Sequence, residues 1–185
     1  MPHQTPSQTV GPFFSYALTS GRSCPSSLFR NNLVDDDTPG LPIRIVGRVL
    51  DGDGDAVPDA MIEIWQADHR GRFPQGPSRF RGFGRAGTDA NGRFSFRTIK
   101  PGPTAFGAAP NLNVVVFARG MLNHAFTRIY FSDEEKANRA DGVLSCIPIA
   151  RRPSLIAAKL RNAEEAAYDF TIRLQGDGET VFFDA

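Results

Sequence analysis

Residues 111–120 read N-L-N-V-V-V-F-A-R-G, and their pattern decides the fold class. Three consecutive valines sit in an apolar run, with Ala-Ala-Pro before it and Arg-Gly closing it, which predicts a β-strand over 112–118. Side chains alternate faces along a strand, so Asn111 and Asn113 point the same way with Leu112 between them. Two amides buried unpaired on one face would be costly, so this pair demands a reason for being there.

The same signature recurs on either side. Residues 43–50 (I-R-I-V-G-R-V-L) and 60–67 (A-M-I-E-I-W-Q-A) read as strands joined by the turn-rich D-G-D-G-D-A-V-P-D. In 93–98, Phe94 and Phe96 share one face while Arg93, Ser95 and Arg97 share the other, after the turn signal D-A-N-G. Further strands are expected at 126–131, 168–174 and 179–183. Helix is scarce. Ser132 to Glu135 has capping-box spacing and predicts a short helix at 133–140, Pro153 to Arg161 predicts another, and Ser26–Leu33 predicts one helical turn. The chain therefore reads as all-β, an antiparallel β-sandwich over 41–185 with long loops and one or two short helices. Residues 1–40 form an irregular arm whose Phe13, Phe14, Tyr16 and Leu18 mark it as packing on something.

Composition removes several function classes. The formal net charge of +1 over 185 residues supplies no basic field for nucleic acid. No apolar run approaches the ~20 residues of a membrane span. The first residues lack the basic and apolar regions of a secretory signal, so the expectation is a cytoplasmic chain with Cys24 and Cys146 as reduced thiols. Asp51-Gly-Asp53-Gly-Asp55 imitates a calcium loop, but Ala56 and Ile62 stand where the loop needs Gly and a bidentate acid. Gly82-Phe-Gly84-Arg-Ala-Gly87 matches the dinucleotide fingerprint in letters, yet a turn and a strand follow it instead of a helix, so it reads as a glycine-rich loop. His3, His69 and His124 share no metal-ligand spacing with one another or with the cysteines, and no G-x-S-x-G elbow is present. No metal site and no hydrolytic triad is expected in this chain.

Six stretches in order carry a resemblance along nearly the whole chain. They are T-P-S-Q-T-V-G-P-F-F (5–14), I-E-I-W-Q-A-D (62–68), F-S-F-R-T-I-K-P-G-P (94–103), V-F-A-R-G (116–120), T-R-I-Y-F (127–131) and L-Q-G-D-G-E-T-V-F-F-D (174–184). Together they resemble the intradiol ring-cleaving dioxygenases, most closely the α-type subunits of members acting on protocatechuate. The resemblance implies a β-sandwich paired with a homologous β subunit in a larger αβ oligomer, the arm 1–40 packing on that partner. It implies a non-haem Fe(III) held in the β subunit by two tyrosines and two histidines, the histidines in a P-A-H-x-H segment. The implied reaction uses O2 to open protocatechuate between its hydroxylated carbons, giving 3-carboxy-cis,cis-muconate.

In this chain Asn111 and Asn113 fall where the two histidines would lie, and Thr104 follows K-P-G-P where one tyrosine would stand. No tyrosine occurs between Tyr16 and Tyr130, so the other is missing as well. Amides and a hydroxyl are poor substitutes for phenolate and imidazole on ferric iron, and the expectation is a chain with no iron of its own. The resemblance also implies that Thr9, Gly11, Pro12 and Arg119 line the partner's substrate pocket, with Arg119 as a fixed cation for the substrate carboxylate. The rival readings are a non-enzymatic binding or scaffold protein on a degenerate dioxygenase fold, and a self-sufficient enzyme of other chemistry.

Overall fold

β5 (Asn111–Phe117) shows why the chain folds as it does. Leu112, Val114 and Val116 are buried, while Asn111, Asn113, Val115 and Phe117 keep partial exposure, so one face of the strand is core and the other is not. The computed structural model describes residues 18–19, 29–75, 80–105, 107–161 and 163–184. Its other strands are β1 (Pro42–Leu50), β2 (Met61–Trp65), β3 (Phe83–Gly87), β4 (Arg93–Ile99), β6 (Ala125–Phe131), β7 (Ile156–Lys159) and β8 (Ala166–Arg173). They join in the order β3-β2-β5-β6-β7-β8-β1-β4. The buried side chains of β1, β2, β4, β5, β6 and β8 meet inside, Ile43, Ile45, Ile62, Ile64, Leu112 and Ile129 among them. Each such side chain contributes about 1.5–3 kcal/mol by leaving water.

The sheet is mixed where antiparallel pairing alone was expected. Five neighbouring pairs are antiparallel, while β1–β8 and β6–β7 run parallel. Neither parallel pair is joined by a tight turn, so no hairpin imposes the antiparallel sense. β7 makes the corner. Ile156 and Ala157 pair with β6, and Ala158 and Lys159 pair with β8. The free edges, β3 and β4, are bridged by the end of the arm. Arg85 N donates to Arg30 O (3.2 Å), Arg97 N donates to Asn31 O (2.9 Å), and Leu33 N donates to Arg97 O (2.8 Å). The sheet is thereby nearly closed and its edges are covered. Gly84 permits this approach, because a Cβ there would lie 2.5 Å from Leu33 Cδ1.

Four expectations fail for local reasons. G-F-G-R-A-G is largely strand β3 and not a loop, because pairing with β2 places Arg85 beside Glu63 in a half-buried ion pair. Pro153 opens a 3-10 turn (Arg152–Leu155), but the rest of the predicted second helix is strand β7, since I-A-A-K fills the gap between β6 and β8. Residues 179–183 are not a strand. Their backbone groups bond to three separate elements, through Thr180 N to Arg173 O, Val181 N to Ser154 Oγ, and Phe183 N to Phe126 O. The predicted capping box is absent: α1 spans Glu135–Ala140, and the Ser132 hydroxyl accepts from Lys159 N instead. A second helix, α2 (Gly142–Cys146), follows at once. Of the helical turn expected at 26–33, the described residues 29–33 are not helical. Among the described residues no helix is long and apolar enough to cross a membrane.

Candidate functional site

The two asparagines sit on the outer face at the head of β5. Register places Asn111 opposite Tyr130 on β6, and Asn113 between Arg128 on β6 and Trp65 on β2. Trp65 stacks on Phe73 with ring centroids 5.8 Å apart. The Asn111 amide donates to Ala109 O at 2.9 Å, so it is engaged by its own strand entry. Thr104 is exposed, on the loop after K-P-G-P. That loop is pinned by Gly102 N donating to Asp68 O (2.9 Å), on the turn that carries His69. Burial alone would raise the Asp68 carboxyl, but hydrogen bonds from Arg72 and Arg70 outweigh it and hold it below the usual range.

Asp141 organises the interior of this end. It is 2 % exposed. Its Oδ2 accepts from Ala109 N (2.8 Å), and its Oδ1 accepts from Val143 N and Leu144 N (both 2.9 Å) and from the Tyr130 hydroxyl (3.3 Å). One carboxylate thus caps α2, fixes the entry of β5 and engages the phenol opposite Asn111. Burial pushes the Tyr130 phenol up, and the hydrogen bond from Arg128 offsets only part of this, so it stays protonated at neutral pH.

Such a donor set does not fit ferric iron. It offers neutral amides, one already bonded to a carbonyl, and a protonated phenol bound to a carboxylate, where iron needs phenolate and imidazole. Among the described residues no group of three or more His, Cys, Asp and Glu is placed to hold a metal. His69 lies in a turn, and His124 packs between Phe117 and Phe126. Asp51 Oδ1 accepts from Asp53 N and Asp55 N, so the calcium-like run is a carboxylate-nucleated turn.

The tail of β5 differs. The strand ends at Phe117, Ala118 is buried, and Arg119 lies in the following turn with 58 % of its side chain exposed. The alternation that puts Asn111 and Asn113 on one face therefore stops short of Arg119. Its Nε lies 3.7 Å from Asp59 Oδ2. Thr9, Gly11, Pro12 and Cys24 fall outside the described residues, and Cys146 is a free, exposed thiol. An open groove of 740 Å³, lined by Val46, Arg48, Arg93 and Asp169, contains none of the predicted site residues.

Sequence reading missed Tyr130, Asp141 and Asp59. Asp141 was legible, since Asp-Gly before V-L-S-C is a helix N-cap signal. Tyr130 and Asp59 gave no signal, because their contacts with Asp141 and Arg119 arise only in the folded chain.

The dioxygenase family model matches residues 11–176. The chain is 46% identical over 196 residues to the protocatechuate 3,4-dioxygenase alpha chain of Burkholderia cepacia, covering 98% of this chain and 97% of that one. It is 33% identical to the beta chain of the same enzyme and organism, over 83% of this chain and 72% of that one. Among solved structures, the dioxygenase domain of a carbohydrate-binding fusion from Streptomyces sp. SirexAA-E superposes with a TM-score of 0.68 at 27% identity, covering 94% of this chain and 99% of that one.

Proposed function

The chain belongs to the intradiol ring-cleaving dioxygenase family, and from that premise we propose that it is the iron-free α-type subunit of an enzyme that cleaves protocatechuate with O2. The product is 3-carboxy-cis,cis-muconate: the bond between the two hydroxylated carbons breaks and both oxygen atoms enter the product. The partner is a homologous β subunit holding Fe(III), and the pair assembles into a larger αβ oligomer. When bound in that partner, the iron supplies the redox chemistry. The observation that carries the reading is the head of β5, where a dioxygenase-family strand presents Asn111 and Asn113 with one amide already engaged.

In this reading the chain's own residues shape and charge the partner's pocket. Arg119, exposed at the tail of β5, presents a fixed cation to the substrate carboxylate. Thr9 supplies a hydroxyl, and Gly11 and Pro12 a close, stiff stretch of backbone. Residues 1–40 reach the partner as an arm, while 41–185 form the β-sandwich, whose two layers are the half-sheets on either side of β7. The complex is cytoplasmic, with Cys146 reduced.

The test is co-production with a homologue bearing P-A-H-x-H and both tyrosines. The complex is expected to co-purify and to consume O2 with protocatechuate, while the isolated chain carries neither iron nor the tyrosinate-to-iron colour. Iron in the isolated chain, or failure of any such homologue to co-purify, would overturn the reading. The second result would favour a stand-alone scaffold.

A further inference from the structure

We infer that Asp59 is the positioning residue for Arg119, holding its guanidinium in place for the substrate carboxylate. This rests on the reading of Arg119 given above. The register supplies the first support. β2 and β5 are antiparallel, and their last pair is Met61 with Phe117. Two residues further in opposite directions stand Asp59 and Arg119, and their side chains meet there, Nε to Oδ2 at 3.7 Å. Among the described residues Asp59 is the one acid within ion-pair reach of Arg119.

The backbone supplies the second. Asp59 has φ 59, alone among the described non-glycine residues in adopting a left-handed conformation. Glycine takes that conformation without steric cost, aspartate and asparagine take it at a small one, and most other residues avoid it. That φ fixes the direction in which the Asp59 side chain leaves the turn after Pro58, toward Arg119. The position is also rigid. Ala60 N donates to Thr88 Oγ1 (2.8 Å), Thr88 N donates to Ala60 O (2.9 Å), and Thr88 Oγ1 donates to Val57 O (2.9 Å). Across from it, just past the end of β5, Ala118 is 1 % exposed. Asp59 hangs from anchored backbone, and Arg119 directly follows a buried residue.

The third support is an unfinished contact. Asp59 Oδ1 is buried with no hydrogen-bond partner among the described residues, while Oδ2 faces the guanidinium at long range. A buried carboxylate oxygen left unpaired is unfavourable, and a planar guanidinium can satisfy both oxygens at once. The geometry therefore favours closure of Arg119 onto Asp59 when the partner covers it. The pair becomes bidentate, the cation is fixed in direction, and the outward N–H groups remain for the substrate.

The test uses the assembled αβ enzyme with Asp59→Asn, Asp59→Gly, Arg119→Ala and the Asn/Ala double variant. Asparagine tolerates the left-handed backbone and removes only the charge. The KM for protocatechuate is expected to rise about fivefold in Asp59→Asn, with kcat little changed. Inhibition by catechol, which lacks the carboxylate, is expected to stay the same. The double variant is expected to be no worse than Arg119→Ala. Asp59→Gly should reproduce the KM effect while melting no lower than the wild type, which a merely structural role for Asp59 would not give. It also serves if Asp59→Asn fails to assemble. An unchanged KM in Asp59→Asn or Asp59→Gly beside a raised KM in Arg119→Ala would overturn this inference and leave the proposed function standing. An unchanged KM in Arg119→Ala would overturn the pocket role of Arg119, and this inference with it.

Discussion

The two ends of β5 are one strand with opposite fates. At the head, polar groups are paired within the chain: Asp141 joins Ala109, Tyr130 and the first turn of α2, and Asn111 bonds to Ala109. At the tail, Arg119 is exposed and Asp59 keeps a buried oxygen without a hydrogen-bond partner among the described residues. In the reading proposed above, internal hydrogen bonds fill the vacant ligand positions at the head, while the tail keeps a cation exposed for another chain.

The sharpest way to break this contrast is Asp141→Ala. It strands Ala109 N, removes the α2 cap and leaves the Tyr130 hydroxyl without that acceptor, so stability is expected to fall by about 3–5 kcal/mol. Urea unfolding of the chain measures it, and a loss under 1 kcal/mol would mean the head is loosely organised. Next is Arg119→Ala, which is expected to raise the KM for protocatechuate about tenfold or more, by loss of a charged hydrogen bond, with assembly intact. Steady-state kinetics and gel filtration separate the two effects, and lost assembly at unchanged KM would make the tail structural.

A region used by neither end sets the baseline. Lys100 bonds to Asp133 and Glu134, and Asp133 also accepts from Lys159 and the Tyr168 hydroxyl. Burial would raise the Asp133 carboxyl, but these donors outweigh it and hold it below 3.8. Burial would lower the Lys100 ammonium, but hydrogen bonds to Glu134 and Asp133 outweigh it and hold it above 10.5. The Asp133 contribution is present above its unfolded value and lost as pH falls through the depressed one. The Lys100 contribution is complete below its unfolded value and lost as pH rises through the raised one. The contribution of this cluster is thus expected to be flat between about pH 5 and 10 and to fall on both sides, so the stability profile of Asp133→Asn should be shallower at both ends than that of the wild type; thermal melting of both proteins across pH tests this. The smallest effect is expected from Asn111→His with Asn113→His, which should bind no stoichiometric iron because the tyrosines are still absent. Metal analysis reads it directly, and a bound ferric ion would mean the head is a dormant site and not a filled one.

What was legible came from patterns confined to one strand or one turn. Alternation located β1, β2, β4, β5 and β6 to within two residues, and the Asn-Leu-Asn spacing put both amides on one face, which the folded chain makes the outer one. What was not legible needed a partner from elsewhere in the chain. I-A-A-K carries no strand signal and becomes β7 because β6 and β8 leave a gap of its width. F-G-R-A-G becomes β3 because β2 lies beside it. Arg119 was visible in the sequence as a cation after a strand. Asp59, sixty residues earlier, meets it only because antiparallel pairing carries both segments two residues past their last shared rung. A sequence specifies local periodicity through side-chain geometry, whereas register and closure are set by which buried faces find each other, and only the folded chain determines that.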